Sequence, residues 1–310
     1  MTDRAILERV APRVVGRRRE LEIVVAALAA GRHIVLEGPP GTGKSTLLRA
    51  VADELGIGFE FVEGNAELTP ARLIGHFDPA RVLTEGYDPE IFQDGPLVTA
   101  LRDGSLLYVE EINRIPEETL NVLITVMSEG ELHVPRLGRV PAADGFRLVA
   151  AMNPFDAVGT ARISSAVYDR TCRLAMDYQD AEDEATIVTR AAGEAMGAVA
   201  ADETWRARVV DLVRRTRSHP DLRIGSSVRG AIDTVVVSAR LAALRGVPAT
   251  DRAAGLDAAL VSLSGRVRVR EGSARSAEDV IRELWNTVFG AAGDEPGKAS
   301  APAGATTSEI

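Results

Sequence analysis

Apolar positions recur along this chain with two different periods. From residue 18 to residue 30, Leu21, Val24, Val25 and Leu28 fall at i, i+3, i+4 and i+7, which places them on one face of a helix. The spacing then gives way to a continuous apolar run, His33 to Glu37, as expected of a short strand buried on both faces. A glycine-rich stretch, GPPGTGKS, interrupts regular structure, and STLLRAVADEL resumes helical spacing. Further buried strands are predicted at Phe59 to Val62, Leu106 to Val109, Phe146 to Met152 and Cys172 to Asp177. Pro116 precedes another amphipathic helix, marked by Leu120, Leu123, Ile124 and Met127. Strands that alternate with helices imply an α/β domain whose parallel sheet is covered on both faces. Beyond residue 180 the pattern becomes helical, with Ile232, Val235, Val236 and Ala239 on a single face. The chain therefore divides into a three-layer αβα core over 1–180 and a helical domain over 181–289. The stretch 290–310 is rich in Gly, Ala, Pro, Ser and Thr, has no apolar period, and is expected to be a disordered tail.

Composition removes several classes of function. No apolar run approaches the ~18 residues of a membrane helix. The first ten residues, MTDRAILERV, carry charges where a secretory leader is apolar. The expectation is a cytoplasmic protein with no membrane association. The single Cys172 excludes an internal disulfide, and His33, His76, His133 and His219 show no metal-ligand spacing. A formal net charge of −9 gives no global attraction to phosphate backbones, so a protein is the better partner class than a nucleic acid. Of the 36 basic residues only Lys44 and Lys298 are lysines. A compact ammonium kept at one internal position points to a tight geometric need there.

That position lies in Gly38-Pro39-Pro40-Gly41-Thr42-Gly43-Lys44-Ser45, which matches G-x-x-x-x-G-K-[ST] and stands between a strand and a helix, as the motif requires. Its glycines let backbone N–H groups turn toward phosphates, and the following helix, beginning with Ser45 and Thr46, adds its positive end. Lys44 is assigned to the β- and γ-phosphates of ATP, and Ser45 to Mg²⁺. Farther along, Leu106-Leu107-Tyr108-Val109-Glu110-Glu111 is an apolar strand ending in two carboxylates. Neighbouring side chains on a strand point different ways, so Glu110 is assigned to the Mg²⁺ shell and Glu111 to polarising the attacking water.

With these two motifs read, the sequence resembles the AAA+ superfamily of P-loop NTPases, and within it the MoxR-like ATPases, whose relatives include the CbbQ, NorQ and GvpN groups. The resemblance spans about residues 12 to 288. RVVGRRRELEIVVAALAAGRHIVLEGPPGTGKS looks like the family's approach to its nucleotide site, and GSLLYVEEINRIPEETLNVLITVMSEGEL like its second carboxylate strand and the helix after it. FRLVAAMNPFDAVGT resembles the strand that carries the first sensor, which implies Asn153 as the group contacting the γ-phosphate and water. SSAVYDRTCRLAMDY resembles the segment that carries the arginine finger, which implies Arg170, with Arg162 and Arg173 as substitutes because the flanking residues depart from the family's Leu-Asp-Arg-Phe. SSVRGAIDTVVVSARLAALRG resembles the helix of a C-terminal helical lid, and makes Arg229 the second sensor. Most family members have Asp where Glu110 stands, so a displaced metal shell and slow turnover are expected.

The resemblance also implies a homo-oligomer, a hexameric ring, that remodels a partner protein carrying a von Willebrand factor A domain. The segments His76 to Gln93 and Leu132 to Phe146 resemble the family's two hairpins and are candidates for substrate contact or ordinary surface hairpins. Two other readings compete. Glu111-Ile112-Asn113-Arg114 with Met152-Asn153 also resembles McrB-like nucleotide motors acting with nucleic-acid enzymes, which the acidic composition disfavours. A nucleotide-gated scaffold with little turnover rests on Glu110 alone.

Overall fold

The computed structural model describes residues 3–153, 164–196 and 202–290. Helices α1 (Asp3–Val10) and α2 (Arg18–Ala29) lead into β1 (His33–Glu37), α3 (Lys44–Leu55) and β2 (Phe59–Glu63). An insertion follows: α4 (Pro70–Ile74), β3 (Gly75–Phe77), α5 (Pro79–Glu85) and β4 (Phe92–Asp94). Next come α6 (Pro96–Asp103), β5 (Leu106–Glu110), α7 (Glu117–Glu129), the pair β6 (Glu131–Val134) and β7 (Gly138–Pro141), and β8 (Arg147–Met152). Then α8 (Ser165–Asp169), β9 (Thr171–Ala175) and α9 (Ala181–Met196) are followed by α10 (Glu203–Ser218), β10 (Leu222–Ile224), α11 (Val228–Arg245), α12 (Arg252–Leu263), β11 (Arg268–Val269) and α13 (Ala277–Phe289). The chain falls into two compact units, one ending at Ile187 and the other beginning at Val188.

In the first unit β2, β5, β8, β1 and β9, in that spatial order, form a parallel five-stranded sheet. The continuous apolar runs are explained by the two layers that cover it. Val35, Leu107, Val109, Leu148 and Ala150 pack on one face with α6 and α7. Ile34, Leu36, Leu106, Tyr108, Val149 and Ala151 pack on the other with α1, α2 and α3. Each strand thus divides its side chains between two cores by its period of two. Because the strands are parallel, all their C-terminal ends lie at one edge of the sheet, where loops converge.

Two expectations are refined. The segment from His76 to Gln93 does begin and end in an antiparallel pair, β3 with β4, but helix α5 stands between them where sequence reading expected a turn. The cause is local: Asp78 caps the N-terminus by accepting from Ala80 N and Arg81 N, Pro79 sits in the first turn, and Arg81 pairs with Glu85 at i+4. In the second hairpin, β6 with β7, Gly138 opens the return strand, and the turn itself uses Arg136 with φ of 67°. The proposed tail lies outside the described residues beyond Gly290.

The second unit packs α10, α12 and α13 around Trp205, Trp285 and Phe289; Trp285 and Phe289 stack with centroids 4.0 Å apart. Helix α12 reaches the two indoles only because residue 255 is glycine, since a Cβ there would stand 2.6 Å from each. Among the described residues no helix is long and apolar enough to cross a membrane.

His33, at the start of β1, accepts a hydrogen bond on Nδ1 from Leu148 N at 2.9 Å. Burial, aided by the Arg147 charge, lowers its pKa from 6.5 to about 4. The unfolded chain therefore takes up this proton near pH 6.5, while the native chain resists until about pH 4. Stability should fall as pH drops through that window, by on the order of 2 kcal/mol. Urea melts at pH 7 and pH 4.5 check this; His33→Asn, which keeps an acceptor for Leu148 N but cannot titrate, should lose most of the His33 share of the difference.

Candidate nucleotide-binding site

The loop from Gly38 to Gly43 joins the C-terminal end of β1 to the N-terminus of α3, and its conformation needs its glycines. Gly41 and Gly43 have φ of 77° and 83°, in the left-handed region that other residues adopt at a cost. A Cβ on Gly38 would stand 2.1 Å from Met176 O. Lys44, Ser45 and Thr46 form the first turn of α3, whose leading N–H groups and dipole favour an anion. Lys44 is buried and its Nζ donates to Gly38 O and Pro39 O, each at 2.9 Å, so the ammonium is held over the loop. Thr42 Oγ1 donates to Pro39 O at 3.1 Å. The cradle fits the phosphates of a nucleotide: a turn closed to side chains, a helix N-terminus and one buried ammonium.

Strand order brings the other predicted residues to the same edge. Strand β8 lies between β5 and β1; Met152 pairs with Glu37, and Gly38 N donates to Met152 O at 3.1 Å. Asn153 therefore emerges beside the start of the loop. Glu110 ends β5 on the neighbouring side, and Glu111 follows it in the left-handed conformation, φ 52° and ψ 42°. That turn swings Glu111 away from the strand direction, and its carboxylate meets Arg114 Nε at 3.1 Å. Among the described residues no group of three or more His, Cys, Asp and Glu side chains forms a metal cage. Oxygen donors from Ser45 and Glu110 alone suit Mg²⁺, which is held by one or two side chains together with substrate phosphates.

The three finger candidates separate clearly. Arg170 follows α8, immediately before β9, whose Thr171 pairs with His33 at the entrance of β1. It lies at the sheet edge opposite the glycine loop, donating to Ser128 Oγ and, at 3.0 Å, to Ala166 O. A cleft of about 300 Å³ opens there, lined by Arg32, His33 and Arg170 among others. Arg173 points to the other edge and binds Glu37 Oε2 at 2.5 Å. Arg162 lies outside the described residues. Arg229 is exposed on the first turn of α11, in the second unit.

The chain from residue 33 to residue 171 matches the AAA domain of the dynein-related subfamily. The gas vesicle ATPase GvpN of Ancylobacter aquaticus is 30% identical over 273 residues, covering 83% of this chain and 72% of that protein. The chain belongs to the MoxR-like AAA+ ATPases. YeaC of Bacillus subtilis strain 168 is 28% identical over 241 residues, 71% of this chain and 72% of that one. The Thermotoga maritima RuvB Holliday junction branch migration motor shares the fold, with a TM-score of 0.55 at 19% identity over 80% of this chain and 70% of that chain. The parallel sheet between helical layers is thus a P-loop AAA+ core, and membership of the family implies nucleotide binding.

Several residues at this AAA+ site escaped sequence reading. Arg17 is almost fully buried; its Nε donates to Thr42 O at 3.1 Å and its Nη1 pairs with Glu20 at 2.8 Å, which braces the glycine loop. Glu37 is buried directly before the loop and accepts from both Tyr168 and Arg173. Burial, with the Glu37 charge adding to it, pushes the Tyr168 phenol up to about 12, so it stays a donor at any ordinary pH. Tyr108 lies with its hydroxyl 3.3 Å from Ser45 Oγ. The only signals were a carboxylate ending one apolar run and a phenol inside another.

Proposed function

We propose that this chain hydrolyses ATP as a homo-oligomeric ring, a hexamer, and couples turnover to remodelling a partner protein. The observation that supports this most directly is the placement of Arg170 and the glycine loop at opposite edges of one sheet, so that a finger and a cradle meet only across two copies. In this reading Lys44 and the N–H groups of α3 hold the phosphates, Glu111 orients the attacking water, Asn153 contacts it, and Arg229 belongs to the second sensor. Bound Mg²⁺ supplies charge neutralisation between the phosphates, with Ser45 and Glu110 as its protein side. The ring and the von Willebrand factor A partner come from family resemblance, and the GvpN relative, named as an ATPase, supports the enzymatic part.

Partner contact is assigned to the surface made by the insertion and the β6–β7 hairpin. Leu83 on α5 is 88% exposed, and the guanidinium of Arg136 stacks on Tyr87 at 4.2 Å, tying the two segments together.

The test is ATP turnover and nucleotide binding in one purified sample, with GTP and DNA added in parallel. Lys44→Ala should weaken ATP binding by roughly 10- to 100-fold, because it removes the only buried ammonium among the described residues, held over the loop. Unchanged affinity in calorimetry, or turnover that requires DNA, would count against this reading.

A further inference from the structure

Strand β5 is aliphatic at Leu106, Leu107 and Val109, yet carries a phenol at position 108. Tyr108 has no exposed surface. Its period along the strand turns it toward α3, and the ring packs between Phe59 and Phe61 with centroids 5.9 and 5.8 Å away. A buried phenol hydroxyl needs polar partners. This one lies 3.3 Å from Ser45 Oγ, and Glu110 stands two residues farther along the same face of the strand.

A hydroxyl carries one proton and two lone pairs, so whichever of Tyr108 and Ser45 donates, the Ser45 oxygen keeps at least one lone pair for a further partner. The phenol is fixed by its ring in the core, and its hydroxyl therefore sets where the Ser45 oxygen sits.

We infer that Tyr108 is a positioning residue: its hydroxyl engages Ser45 and holds the Ser45 oxygen ready to accept the divalent cation that accompanies the nucleotide. This rests on the reading of the glycine loop as a Mg²⁺-nucleotide site.

Tyr108→Phe keeps the ring that packs between Phe59 and Phe61 and removes only the hydroxyl. The full chain is titrated with MgCl₂ in the presence of a fluorescent ADP, with EDTA as the metal-free control, and Mg²⁺ half-saturation of turnover is measured beside it. Tyr108→Phe should raise the Mg²⁺ concentration for half-maximal effect by about 5- to 30-fold, the loss of one oriented hydrogen bond to a charged system. ADP affinity in EDTA and the melting temperature should stay unchanged, and turnover at saturating Mg²⁺ should recover. Ser45→Ala should raise the requirement further, and adding Tyr108→Phe to it should change nothing more, because the phenol then has no hydroxyl to position. A Mg²⁺ requirement within twofold of wild type in Tyr108→Phe, or an equal effect in the Ser45→Ala background, overturns the inference alone. Should Ser45→Ala itself leave the requirement unmoved, the site reading falls and the inference falls with it.

Discussion

Arg170→Ala should lower ATP turnover by about 10³- to 10⁵-fold while leaving nucleotide affinity nearly unchanged, the loss expected of a finger that neutralises charge on the transferred phosphoryl group. Position motivates the expectation. Thr171 pairs with His33, the first residue of β1, and the glycine loop begins after Glu37, the last. At about 3.3 Å per strand residue the two ends stand roughly 16 Å apart, farther than one side chain spans. Arg170 is instead steadied at its own edge by Ser128 and Ala166, beside a cleft shared with Arg32. Arg173, the neighbouring alternative, is committed to Glu37 next to its own loop. Wild-type turnover per subunit should rise with protein concentration as copies assemble, and Arg170→Ala should abolish that rise. Mixing Lys44→Ala subunits with Arg170→Ala subunits is the sharper experiment, since some interfaces then join an intact cradle to an intact finger. Activity should return in proportion to such interfaces. A mixture that stays inactive although mixed assemblies form, or an Arg170→Ala protein with full activity, would remove Arg170 from the mechanism and direct the test to Arg162.

Replacing Glu111 by Gln should cut turnover by about 10²- to 10⁴-fold and leave nucleotide bound, since the amide keeps the shape and loses the charge that draws a proton from water. Glu111 is the better of the two carboxylates for this task because of its backbone. Glu110 continues β5, whereas Glu111 turns into the left-handed region and presents its carboxylate beside Arg114. A residue with a Cβ adopts that conformation at a cost of order 1 kcal/mol, which the surrounding fold must supply. Phosphate release and binding of a fluorescent nucleotide, measured on the same samples, separate the two effects. Glu110→Gln should differ by shifting the Mg²⁺ requirement. If Glu111→Gln retains turnover, or if Glu110→Gln leaves Mg²⁺ dependence untouched, the division of labour between the carboxylates is wrong.

The sequence by itself determined the glycine loop, the strands and their parallel order of use, because these depend on short-range rules: apolar period, turn chemistry and the fixed spacing of a phosphate cradle. Lys44 and the pair Glu110 and Glu111 were legible for the same reason. Helix α5 was encoded equally locally, in Asp78-Pro79 and the pair Arg81 and Glu85, but the turn residues that end it at Gly86 masked it. Helix α1 carries Ile6 and Val10 one turn apart, too few apolar positions to stand out until both are buried against the sheet layer. Only the tertiary structure decided which of Arg170 and Arg173 is held away from its own loop, that Arg17 and Glu37 brace the loop, and that Tyr108 meets Ser45. Those contacts join residues 25 to 160 positions apart in Arg17's case, and a side chain's partner at such a distance is set by strand order and register. A linear pattern records which face a residue occupies; what stands opposite it is decided by the packing of the sheet.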